Sequence, residues 1–160
     1  MFEILVYMYS KYIEHHQLMD MSALKIKLHK AKFTDQAIEA ALSWLAQLQA
    51  MSVQTLVVDD GYFQGTRIRI YTEDELNKIS LDSINFLVLL ERSKVISMMQ
   101  RELAIERAMM LGLREVGLDE MCWVVQYVLW SFDHSMHCQR VFYDYMPAQS
   151  ADDAQILSLH

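Results

Sequence analysis

Four glycines and a single proline in 160 residues constrain this chain more than any motif in it. A β-sandwich or barrel reverses direction about every 8 to 12 residues and draws on glycine and proline at those turns. So few of either leave long unbroken segments, and 12 methionines with abundant leucine and alanine favour helix in them. A mainly α fold is expected. With 53% hydrophobic residues the chain is no disordered tract. A chain of this length buries roughly 70% of its unfolded surface, enough for a core that needs neither disulfide nor metal. No stretch reaches about 18 consecutive apolar residues, and Met1-Phe2-Glu3 lacks the basic opening of a signal peptide. The expectation is a cytoplasmic protein without membrane contact, both cysteines remaining thiols.

Phe2, Leu5, Val6, Tyr9, Tyr12 and Ile13 recur at helical spacing and predict a first helix. Ser22 is placed to cap a short second helix, with Leu24, Leu28 and Ala31 on one face and Lys25, Lys27, Lys30 and Lys32 at polar positions. Thr34 caps a third, whose stripe of Ile38, Ala41, Leu42, Leu45 and Leu48 is the strongest periodic signal in this half. The period then changes. Residues 52–58 are rich in β-branched side chains, Asp59-Asp60-Gly61 and Gly65 supply turn chemistry, and Arg67-Ile68-Arg69-Ile70-Tyr71 alternates polar with apolar. This predicts a two-stranded hairpin with Ile68 and Ile70 turned against the helices. Three helices and a β-hairpin make residues 1–72 a winged-helix-like half.

Thr72-Glu73-Asp74-Glu75 has the form of a capping box and opens a short helix. Leu81, Ile84, Phe86, Leu87, Val88, Leu89 and Leu90 are apolar nearly all round, which predicts the buried centre of a helical bundle over residues 73–146, sharing one core with the first half. Ser97-x-x-Gln100 caps the next helix, ending at Gly112, and Leu118-Asp119 opens another that buries Trp123, Val124, Val128, Leu129 and Phe132. A last helix over residues 135–145 stops at Pro147, and residues 147–160 read as a flexible polar tail.

Four of these segments together resemble the bacterial Smg family: Met1-Phe2-Glu3-Ile4-Leu5, Arg69-Ile70-Tyr71-Thr72 with Glu75, Arg101-Glu102-x-x-Ile105-x-Arg107, and Leu118-Asp119 followed by Trp123-Val124. The likeness runs from residue 1 to about 145, the tail from Tyr143 onward departing from it. It implies a small cytoplasmic bacterial protein of unknown biochemical function. It also implies a gene near those of the DNA-processing protein of natural transformation and of topoisomerases in many genomes. No catalytic residue carries over.

Chemical constellations are few. His134-x-x-His137-Cys138, with Cys122, offers four possible zinc ligands, but the spacing matches no paired-ligand arrangement and adjacent helical residues point about 100° apart. No metal or other cofactor is expected. There is no Gly-x-Ser-x-Gly elbow, and the scattered Gly61, Gly65, Gly112 and Gly117 cannot cradle phosphates. Arg101, Glu102, Glu106 and Arg107 read as a surface ion-pair array rather than an acid–base pair. Enzymatic activity is not expected.

Charge is more informative. The third helix carries Asp35 and Glu39 but no Lys or Arg, so phosphate would repel it. Lys25, Lys27, Lys30 and Lys32 on the second helix, with Arg67 and Arg69 on the wing, form the candidate partner-binding patch of a chain whose net charge is −7. From Glu115 to Asp133 there are four acids and no Lys or Arg. That polarity suits a charged protein partner or self-association, and Trp44, Tyr62, Phe63 and Trp130 are candidate exposed aromatics. The expectation is a non-enzymatic protein-interaction adaptor or regulator. The alternative is a DNA-associated protein, linked to DNA processing or topology, whose basic second helix and wing hold the backbone weakly and salt-sensitively.

Overall fold

A computed structural model describes residues 1–13, 21–58 and 69–132, with the backbone alone at 12, 13, 21 and 55–58. The order is α1 (Phe2–Met8) running into a π-helical turn (Tyr9–Ile13), α2 (Met21–Lys30), α3 (Asp35–Val58), α4 (Glu73–Lys78), α5 (Leu81–Arg92), α6 (Met98–Met109) and α7 (Leu118–Phe132). Two compact units divide the chain after Gln47, within α3.

In the first unit α1 buries Ile4, Leu5 and Met8, followed by Tyr9, while α2 buries Leu24 and Leu28 one turn apart. Thr34 accepts the Ala37 N–H at the start of α3, as its capping chemistry requires. α2 closes through a Schellman motif: the Phe33 N–H reaches the Leu28 carbonyl at 3.4 Å and the Lys32 N–H the His29 carbonyl at 3.0 Å. Lys32 therefore sits at φ 66°, in the left-handed region usually taken by glycine.

The predicted wing is not formed. Residues 52–58 are the last two turns of α3, a single helix of 24 residues. Each β-branched side chain there costs at most about 0.7 kcal/mol of helix propensity. Extending an existing helix adds a hydrogen bond per residue fixed, whereas a separate hairpin is marginal. The buried stripe also continues from Leu45 and Leu48 to Ser52, whose hydroxyl donates to the Gln49 carbonyl at 2.9 Å and so enters the interior satisfied. Residues 59–68, with the expected turn and with Arg67 and Ile68, lie outside the described residues. Arg69, Ile70 and Tyr71 are not a strand, and their alternation is inverted: Arg69 is turned inward while Ile70 is 87% exposed. Among the described residues there is no strand, and the architecture is mainly α without a winged-helix hairpin.

In the second unit Thr72 with Glu75 and Ser97 with Gln100 form complete capping boxes at the starts of α4 and α6. An isolated parallel bridge joins Ile79 to Val116. The Lys78 ammonium closes the end of α6, donating to the Met109 and Leu111 carbonyls at 2.8 and 2.7 Å, where the helix dipole favours a cation. The bundle's centre is α7, which buries Met121, Cys122 and an unbroken run from Val124 to Leu129 against α5 and α6. α5, expected in that place, buries one face through Ile84, Phe86, Leu87 and Leu90 and leaves Leu81 and Leu89 exposed. Both Trp123 and Phe132 are half-buried. The helix expected over residues 135–145, and the tail, lie outside the described residues.

Candidate partner-binding surface

Leu24 and Leu28 turn one face of α2 into the core, and an α-helix so anchored must present the residues between them to solvent. Ile26, Lys27, His29 and Lys30 are exposed, and Lys32 is exposed just beyond the last turn. Lys25 is tied to Glu39 of α3, whose carboxylate accepts its hydrogen bond and raises its pKa. At the same edge the His29 Nδ1 lies 3.1 Å from the Asp35 carboxylate. Lys30 and Lys32 have no ion pair among the described residues. Between these cations Ile26 stands 57% exposed, an apolar side chain that the charge pattern alone did not single out. The signal was present as an isoleucine between Lys25 and Lys27, off the Leu24–Leu28 stripe.

Arg69 belongs to the second unit and is differently employed. Its Nη1 and Nη2 meet the Glu75 carboxylate at 2.9 and 2.7 Å, and its Nε lies 2.9 Å from both oxygens of Glu102. Glu102 also accepts from Arg101, which reaches Glu91 at 2.5 Å, so three carboxylates and two guanidinium groups form one chain of charge-assisted bonds. The pair holds the Glu75 carboxyl down at about 2 through the Arg69 bonds, with further help from the Thr72 N–H, and raises the Arg69 pKa through Glu75. Beneath the guanidinium lies Tyr71, its ring centroid 4.3 Å from Cζ and its phenol pushed upward by burial. Its hydroxyl is buried with no hydrogen-bond partner among the described residues. This network fastens the segment before α4 to α6. Arg101 and Arg107, expected at the surface, are buried.

The other expected features are distributed as follows. Trp44 is buried, Trp130 is half-buried and stands edge-on to Tyr127, and Tyr62 and Phe63 lie outside the described residues. Cys122 is a buried thiol whose pKa burial pushes up to about 12, so it is a poor nucleophile and a poor metal ligand. His134, His137 and Cys138 lie outside the described residues, and among the described ones no group of three His, Cys, Asp or Glu side chains could hold a metal. No described helix is long and apolar enough to cross a membrane.

These elements define a helical protein that carries an exposed basic helix in one unit and an internal ion-pair chain in the other. The family model described as "Protein of unknown function (DUF494)" matches residues 1–152. "Protein Smg homolog" of Methylobacillus flagellatus is 41% identical over 133 residues, covering 83% of this chain and 86% of the relative. The Shewanella piezotolerans homolog is 38% identical over 136 residues, 82% of this chain and 84% of its own. "Protein Smg" of Buchnera aphidicola is 32% identical over 133 residues, 82% and 85% of the two chains. No solved structure matches. The chain belongs to the Smg family.

Proposed function

We propose that this Smg-family protein is a non-enzymatic cytoplasmic adaptor or regulator that engages an acidic protein surface through α2. The observation that carries the reading is the exposed Ile26 one helical turn from the exposed Lys30, with Lys27 and Lys32 exposed nearby in sequence. An exposed apolar side chain beside a cation is the composition of a small protein interface, in which the apolar part supplies affinity and the charge supplies orientation and rate. Nucleic-acid backbone would use the lysines and leave the isoleucine idle. The second unit supports the same division of labour, since Arg69 and Arg101 are engaged in internal pairs. The buried, weakly acidic Cys122 thiol is in keeping with a reducing compartment and with a role other than nucleophilic catalysis.

The test is capture from the native bacterium on the immobilised full chain, run beside retention on duplex DNA over a salt series. One protein retained at fixed stoichiometry, and lost when Ile26→Asp is introduced, supports the reading. Retention on DNA that falls steeply with salt and ignores Ile26→Asp would replace it with a backbone-binding role.

A further inference from the structure

α1 and its π-helical turn carry two apolar faces. At about 100° per residue, Ile4, Leu5, Met8 and Tyr9 occupy one arc, and all four are buried. The other side carries Phe2, Glu3, Val6 and Tyr7 of α1 and Ser10 and Lys11 of the π-helical turn, none of them buried. All six line one groove of about 340 Å³, closed on its far side by Phe33, which meets Tyr7 edge-on at 5.5 Å. The groove lies wholly within the first unit, and its Phe2, Val6 and Tyr7 remain only half-buried. A π-helical turn is an uncommon departure from α geometry that recurs at functional positions, and this one supplies Ser10 and Lys11 to the groove.

The charges on this face are arranged in a particular way. Glu3 stands at one end and Lys11 at the other, with only apolar and hydroxyl side chains between. An antiparallel copy of the same helix, related by a twofold axis passing Tyr7, sets residue 3 against residue 11 of the partner, and residue 11 against residue 3. Both ends are then complementary at once, and the apolar centre faces itself. Such self-complementarity is the requirement for an isologous interface. We propose that this groove is the contact surface of a twofold dimer, its occupant α1 of a second copy of this chain.

The helix and its turn span about 18 Å, so the interface is small and the dimer reversible, with a dissociation constant in the micromolar range. The test is sedimentation equilibrium of the full chain from about 1 to 300 µM at low salt. A reversible monomer–dimer equilibrium is expected. Glu3→Lys and Lys11→Glu should each weaken it about tenfold, since each replaces two attractive contacts with two repulsive ones. An equimolar mixture of the two variants restores opposite charges at both ends, and so should regain the parent's affinity as a heterodimer. Neither substitution touches the buried arc, so circular dichroism of each variant should match the parent's. A parent that is monomeric throughout, single variants that dimerise like the parent, or a mixture no tighter than its components would each overturn the proposal.

Discussion

Replacing Glu75 with Gln removes one charge from the Arg69 network and nothing else that α4 needs. Glutamine at this position still accepts the Thr72 N–H, so the capping box survives. What is lost is the charge and the Nη2 bond at 2.7 Å, between side chains 16% and 14% exposed, since the amide oxygen that accepts the Thr72 N–H also faces Nη1. Charge-assisted bonds of that kind contribute about 1.5 to 3 kcal/mol, and partial exposure discounts the upper end, so a loss of about 2 kcal/mol is expected at pH 7. For a chain of this size that lowers Tm by roughly 4 to 8 °C. The difference must also depend on pH. The Glu75 carboxyl is held at about 2 against an ordinary 4.5, so its stabilisation is complete above pH 4.5 and is lost as pH falls towards 2. Melting curves of parent and Glu75→Gln between pH 7 and pH 2 should therefore converge on the acid side. Equal melting temperatures at pH 7, or a constant gap across the whole range, would refute the assignment of that stability to the ion pair.

Two further substitutions test local geometry. Tyr71→Phe should raise stability by about 1 kcal/mol, because it deletes a buried hydroxyl without a partner among the described residues while keeping the ring under Arg69, and thermal melts will show it. Lys32→Gly should also stabilise by about 1 kcal/mol, because it relieves a left-handed residue at φ 66° without touching the Schellman bonds; a denaturant midpoint that falls would contradict this.

The parts of this fold that were legible in the sequence are those written within one helical turn. Thr72 with Glu75, Ser97 with Gln100 and Thr34 before α3 announce helix starts because a cap needs only residues three apart. The expected hairpin fails for the complementary reason. β-Branched residues at 52–58 express a weak local preference, and burial along the Leu45, Leu48, Ser52 stripe outweighs it. The inversion at Arg69 and Ile70 has one local cause, Glu75 six residues on, and one remote cause, Glu102 33 residues away, which no local pattern announces. α5 looked like the centre of the bundle from composition alone, yet α7 holds it, since only the packing of neighbours decides which of two apolar helices is covered on both sides. On the candidate surface the lysines were visible and the role of Ile26 was not, exposure being a property of the folded unit.

Arg69 is unsuitable for probing the surface, because reversing its charge would break the ion-pair chain; Lys30 and Lys32 avoid this. The decisive measurement is the association rate of the captured partner with the parent and with the Lys30→Glu, Lys32→Glu double variant, followed by stopped flow over a range of ionic strength. The account predicts a rate reduced at least tenfold at low salt, converging on the parent's at high salt, with a stability loss no greater than about 1 kcal/mol from the helix dipole. A doubly reversed protein that associates as fast as the parent at low salt would contradict the claim that α2 is the binding surface.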